Sequence, residues 1–276
     1  KYFLINQNNI TNVLMYDDGL KDNVVKFLEY YREWLQKDHD LKGIDSFPYL
    51  SFANGSTEVF DKFYLKHLDK RLRFFKGEYY YHHIAAREWF KNKFAFIEED
   101  EIKRGDVVIV SIPFSDTGNL HDQYDWLMNE CCEKNIPVLV DMAYINVTKN
   151  FKLNLDYECI ETIATSLSKV FPVQHFRIGM RLNKEFKDDP LDAYTEQDYV
   201  NHMSINMGFH LINNFSNSYT YDKYFKRQKK ICLDLDVLES SCVIFGIDTK
   251  NFHQKLNRGG KTNRLCFSRL WGSDEL

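Results

Sequence analysis

The sequence has no surplus of positive charge. Its 36 lysines and arginines are outweighed by 40 aspartates and glutamates, a net charge of -4. That balance argues against a nucleic-acid binder, which would carry a clustered basic patch. The densest basic run, KRQKK over 226–230, reads as a solvated helix face. No apolar run reaches the length of a bilayer-spanning helix, and nothing at the start resembles a secretory signal. A cytoplasmic protein with no membrane and no nucleic-acid partner is expected. The chain begins at Lys1 rather than Met, as a processed chain would. None of the six cysteines has CxxC spacing, and no histidine stands at zinc-finger distance from one. They read as reduced, mostly buried thiols. The nine histidines show neither HxxxH nor HExxH, so no metal is expected. Internal repeats and low-complexity linkers are absent as well.

What is present suits a globular enzyme. A chain of 276 residues, 44% hydrophobic and 16% aromatic, can bury one large core or two modest ones. Val24, Phe27, Leu28, Tyr31 and Leu35 recur at helical spacing. FPYLSFANGSTEVFDKFYLKHL reads as an extended segment, a small-residue turn, and a helix from about Thr57. RLRFFKGEYYYHHI reads as a strand. DVVIVSIPF (106–114) and VLVDMAY (138–144) are continuous apolar runs of the buried-strand type. Between them Leu120, Tyr124, Leu127, Met128 and Cys131 form a helical stripe. Strand, helix and strand over so short a span predict a right-handed βαβ unit with parallel strands. TIATSL and RIGMRL add two candidate strands. From about Leu191 the pattern changes to a helical stretch followed by two short strands, CVIFGID and RLCFSRL. The expected division is a large α/β domain over 1–190, its mostly parallel sheet flanked by helices, and a small C-terminal α+β domain over 191–276.

Sheets of this kind place ligands beyond the carboxyl ends of their strands. Asp141 and Tyr144 close one strand, Ser115 to Gly118 follow another, and Ser166, Ser168 and Lys169 close a third. Gly55, Ser56 and Thr57 precede a helix, where free N–H groups favour a phosphate; Ser56 and Thr57 would equally serve as caps. Arg177 can add a guanidinium to the same anion. One phosphate cradle, one carboxylate, one phenol and one lysine are what an aldehyde cofactor with a phosphate and a pyridine nitrogen needs. The lysine forms an imine with the aldehyde, and the carboxylate keeps the ring protonated as an electron sink.

With these residues in view, the sequence resembles the class I/II aminotransferases, the fold-type I pyridoxal-phosphate-dependent enzymes. SLSKVFPVQHFRIG resembles the family's Ser-x-x-Lys segment followed by Arg-x-Gly, with eight residues from lysine to arginine. DMAY resembles its Asp-x-x-Tyr motif, NGSTEVF its phosphate-binding turn, KGEYYYH the stretch with the ring-stacking aromatic, and NRLCFS its C-terminal strand. The similarity runs from about Phe47 to Ser268, and five motifs in order are a specific signal.

The resemblance implies pyridoxal 5'-phosphate as cofactor and Lys169 as the Schiff-base lysine. Asp141 would pair with the pyridine nitrogen and Tyr144 with the ring oxygen. Gly55, Ser56, Thr57, Ser166, Ser168 and Arg177 would surround the phosphate. Tyr79 would stack on the ring, with Tyr80 and Tyr81 as competitors, and Arg264 would fork onto the substrate α-carboxylate, which a lysine could not imitate. His82 and His83 read as structural. The implied activity is transamination between an amino acid and a 2-oxo acid, by a homodimer. Where the family carries Asn-Pro-x-Gly this chain has SDTG, with Ser115 in place of the asparagine that bonds the ring oxygen. The same fold and cofactor serve decarboxylases, lyases, racemases and acyl-transferring synthases, and a non-catalytic descendant would keep the fold.

Overall fold

The computed structural model describes residues 21–268. Helix α1 (Lys21–Gln36) and the short strand β1 (Asp40–Lys42) lead into β2 (Tyr49–Asn54), α2 (Ser56–Lys66), β3 (Arg71–Phe74), α3 (Tyr80–Ala85) and β4 (Phe94–Phe96). Then follow β5 (Asp106–Ser111), α4 (Tyr124–Glu133), β6 (Val138–Asp141), β7 (Lys152–Asn154), β8 (Ile160–Ser166) and β9 (Ile178–Asn183). The last third comprises α5 (Pro190–Glu196), α6 (His202–Asn214), α7 (Tyr219–Asp234), β10 (Leu238–Glu239), β11 (Phe245–Asp248) and β12 (Asn263–Cys266).

The seven-stranded sheet has the order β2-β9-β8-β6-β5-β3-β4. Its pairs are parallel from β8 through β4, while β9 runs antiparallel to both neighbours. Every residue of β5, β6 and β9 is buried. That is why DVVIVS and VLVD are apolar without alternation: helices or loops cover both faces. β5, α4 and β6 form the expected βαβ unit with parallel strands. On α1 the predicted stripe faces inward, with Val24, Phe27, Leu28, Tyr31 and Leu35 all buried.

The small C-terminal part is an antiparallel sheet, β10-β11-β12, packed on α7. Buried Gln228 of α7 pins it by donating to the carbonyls of Ser240 (2.9 Å) and Phe245 (2.8 Å). The SDTG turn is its seat on the large domain. Ser240 Oγ donates to Thr117 O (2.6 Å), Ser241 N to Asn119 Oδ1 (2.7 Å) and Cys242 N to Gly118 O (3.1 Å).

Two local readings are corrected. The strand expected through RLRFFKGEYYYHHI ends at Phe74, and Tyr80–Ala85 is helical, continued by a wider turn over Ala86–Phe90. Buried His82, Ala85, Ala86 and Phe90 recur at three- to four-residue spacing, so packing overrides the β propensity of the tyrosines. Leu120 lies before α4 and is 42% exposed, whereas Tyr124, Leu127, Met128 and Cys131 make the buried stripe. All six cysteines are free thiols. Among the described residues no helix is long and apolar enough to cross a membrane, and no His/Cys/Asp/Glu group is arranged to hold a metal.

Candidate active site

The predicted residues gather where strands end. Asn54, the last residue of β2, pairs with Ile178; Ser166, the last of β8, pairs with Gly179; and Asp141, the last of β6, pairs with Ser111, the last of β5. This register lines one rim of the sheet with the turns that carry Gly55, Lys169, Tyr144 and Ser115.

At one end of the rim lies an anion cradle. Gly55 stands before α2 at φ 80° and supplies no side-chain cap, so the first-turn N–H groups of the helix stay open to a ligand. Arg177 folds over this turn, itself at φ 56°. Its Nη2 donates to Thr57 Oγ1 (2.8 Å) and its Nε to Asn54 O (3.2 Å). A Cβ on residue 55 would lie 2.4 Å from Arg177 Nη2, so glycine is what lets the guanidinium approach. Ser166 Oγ and Ser168 Oγ are 2.8 Å apart, and Ser168 N donates to Ser166 Oγ (3.1 Å).

In the middle of the rim are Lys169, Tyr144 and Asp141. Lys169 is exposed, and its Nζ stands 5.3 Å from the centre of the Tyr144 ring. Burial raises the pKa of Tyr144, opposed by the positive charges of Arg264 and Arg258. Asp141 is buried and accepts from Ala143 N (2.9 Å). Its other oxygen lies 3.8 Å from Nε2 of the fully buried His82, whose Nδ1 is 2.5 Å from the Tyr64 hydroxyl. Of the three tyrosines, Tyr79 sets its ring edge-on to His82 at 5.7 Å. Tyr80 is 59% exposed, and Tyr81 donates to Asp61 (2.6 Å). Only Tyr79 of the three therefore neighbours the Asp141 group without a hydrogen bond elsewhere.

At the far end stand Ser115 and Arg264. Arg264 Nη1 donates to the Ser115 carbonyl, and the guanidinium lies 4.3 Å from the centre of the Phe245 ring. Ser115 Oγ is buried with no protein partner. The Ser115 backbone is held from below, its N–H donating to Ser111 Oγ (2.8 Å). Ser111 in turn gives its N–H (2.8 Å) and its hydroxyl (2.5 Å) to Glu78. Burial raises the pKa of Glu78, against the pull of His82 and the Ser111 donors.

Sequence reasoning missed four neighbours of this group: Glu78, His82, Asp116 and Arg258. Glu78 and His82 flank the tyrosine triplet, and Asp116 stands where the family pattern has proline. Those three offered a faint signal in the sequence. Arg258 offered none, because its position depends on how the small domain docks.

A family model described as "Aminotransferase class I and II" matches residues 43–214. No match emerges among curated protein sequences. Solved structures of similar fold include a tyrosine aminotransferase from Leishmania infantum, with TM-score 0.65, 12% identity, and 89% of this chain and 78% of that one covered. A PLP-bound C-S lyase from Staphylococcus hominis gives TM-score 0.63 at 12% identity over 87% of this chain and 69% of that one. An L-threonine-O-3-phosphate decarboxylase from Porphyromonas gingivalis gives 0.58 at 13% identity over 91% and 92%. At these identities the likeness speaks to the fold.

Proposed function

Because the chain belongs to the class I and II aminotransferase family, we propose that it uses pyridoxal 5'-phosphate to move an amino group between an amino acid and a 2-oxo acid. The observation that carries this reading is the convergence of Lys169, Asp141 and Arg177 on one rim of one sheet.

The residues present fit the cofactor. Its phosphate suits the open first turn of α2, with Ser56 and Thr57, the Ser166–Ser168 pair and Arg177, which among the described residues has no carboxylate partner. Asp141 suits a pyridinium N–H, being a buried carboxylate whose only nearby cationic candidate is His82 at 3.8 Å. The Tyr144 hydroxyl and the unpartnered Ser115 Oγ suit the ring oxygen. Tyr79 would cover the ring.

When bound, the cofactor supplies an electron sink that makes the substrate's α-hydrogen acidic. The chain supplies the rest. Arg264 holds the α-carboxylate and so aims Cα. Its own seat is set by the Glu78–Ser111–Ser115 ladder. Lys169 Nζ holds the aldehyde carbon at rest and, once displaced by the substrate amine, takes the proton from Cα and returns it. Asp141 keeps the ring nitrogen protonated. The working assembly that goes with this reading is a homodimer, checked by light scattering.

The test is borohydride reduction after adding pyridoxal phosphate, with mapping of the labelled peptide and assay of amino donors. A label on Lys169 and release of a 2-oxo acid are expected. Release of carbon dioxide instead would make the enzyme a decarboxylase with the same site. No label would overturn the cofactor reading and leave a non-catalytic descendant.

A further inference from the structure

The loop between β11 and β12 reaches from the small domain to the large one. Asn257 braces it, donating from Nδ2 to Gly260 O (3.0 Å) and Thr262 O (3.1 Å) and accepting from Gly259 N (2.8 Å). Thr262 Oγ1 stands 3.5 Å from Asp116 Oδ2, and a Cβ on Gly260 would strike that oxygen at 2.2 Å. The loop is thus seated directly on Asp116, and Arg258 is carried in over Glu78, donating from Nη2 to its carbonyl (3.1 Å).

Arg258 is half-buried, and the charges of Arg264, Tyr144, Asp116 and Glu78 all act on it. Two guanidinium groups therefore share the mouth of the site. Among the described residues neither makes an ion pair, and each has one hydrogen bond, to a neutral carbonyl. Asp116 offers partial counter-charge, but it is 2% exposed beneath the loop and closed to a ligand. Arginines that serve as struts in this chain are built otherwise. Arg71, Arg73 and Arg181 each contact carboxylates within 3 Å, with Asp106, Asp189 and Asp192 among their partners.

We propose that Arg258 is a specificity residue, binding a second anionic group on the side chain of the amino-acid substrate while Arg264 takes the α-carboxylate. The substrate class is then an amino acid with a carboxylate or phosphate side chain. The assignment of Arg264 and of an amino-acid substrate rests on the proposed function above; the pairing of two open guanidiniums does not.

The experiment is calorimetric binding to the protein reconstituted with pyridoxal phosphate. The probes are succinate and 3-phosphonopropionate against the monoanion succinamate, followed by kcat/KM for aspartate and O-phosphoserine against asparagine. Both dianions, or one of them, should bind roughly tenfold to a hundredfold more tightly than succinamate, the range set by one charge-assisted hydrogen-bonded contact. The stronger dianion identifies carboxylate or phosphate. In Arg258→Gln that ratio should collapse toward one, and Arg258→Lys should restore part of it. Equal binding of dianion and monoanion overturns the proposal. So does an Arg258→Gln variant that weakens both alike, as loss of a strut would. Dianion preference without a borohydride label on Lys169 would retain the anion site and reject the cofactor reading. A label without dianion preference would do the reverse.

Discussion

At the amino-terminal rim of the sheet Arg73 is wholly buried, and its guanidinium donates to Asp106 Oδ2 (2.8 Å) and to the carbonyls of Ala95 (3.0 Å) and Glu101 (2.7 Å). Beside it Arg71 forks onto the same Asp106 at 2.8 and 3.0 Å. At the carboxyl-terminal rim Arg177, Arg258 and Arg264 donate only to a hydroxyl and to carbonyls. The same side chain is neutralised within the chain at one rim and left open at the other. A desolvated guanidinium is stable when a carboxylate and several carbonyls replace its water. One that is to bind a phosphate or a carboxylate must keep its charge and part of its fork free for the ligand. Structural and functional arginines are told apart here by their partners, where burial alone would mislead.

That contrast can be pressed hardest at Lys169. Lys169→Ala should abolish turnover and the borohydride label while leaving the denaturation midpoint nearly unchanged; an active variant would remove the carboxyl rim as the site. At the opposite rim, Arg73→Leu leaves Asp106 buried with less compensation. It should lower unfolding free energy by about 3–5 kcal/mol in urea titrations, with cofactor affinity in the surviving folded protein little altered.

The amino-terminal rim should also be the acid-sensitive one. Burial alone would raise the pKa of Glu161, but hydrogen bonds from His67 and Lys66 outweigh it and hold the group at about 2 against an ordinary 4.5. A depressed acid stabilises the fold above its unfolded pKa. The contribution is therefore complete above pH 4.5 and lost as pH falls from there toward 2. Because Lys66 is half exposed, on the order of 2 kcal/mol is expected after solvent screening. The stability gap between the wild type and Glu161→Gln should close over that window, and a constant gap would contradict the assignment.

Smaller effects sharpen the other side. Gly55→Ala forces a methyl into the Arg177 guanidinium and strains a residue at φ 80°. Pyridoxal phosphate affinity, read from absorbance titrations, should fall roughly tenfold to a hundredfold. Smallest of all, Arg264→Met should change stability by about 1 kcal/mol or less, since no buried carboxylate loses a partner, yet raise KM for amino acids. If Arg264→Met unfolds the protein as Arg73→Leu does, the distinction between the rims fails.

Much of this was legible along the chain. The strands at 106–111 and 138–141 announce themselves because both faces are buried, which demands uninterrupted apolar residues. Lys169, Ser166 and Arg177 are within one loop of each other, so their spacing survives in the sequence, and so does that of Asp141 and Tyr144. The tyrosine triplet was misread because its residues favour strands, while the buried positions His82, Ala85 and Phe90 that make it a helix are defined only by what packs on them. Among the tyrosines themselves, only the turn at Tyr79 and the Asp61 partner of Tyr81 separate the candidates.

The sequence by itself determined the alternation of strands and helices, the order of the motifs, and the chemical types gathered at strand ends, because these depend on local periodicity and short spacing. Tertiary structure alone decided which charges meet. Asp116 under Gly260, Glu78 under Ser111, and Arg258 beside Arg264 join segments that lie up to 180 residues apart. Pairing and burial set whether a guanidinium is a strut or a receptor, and both come into being only when the small domain closes on the sheet.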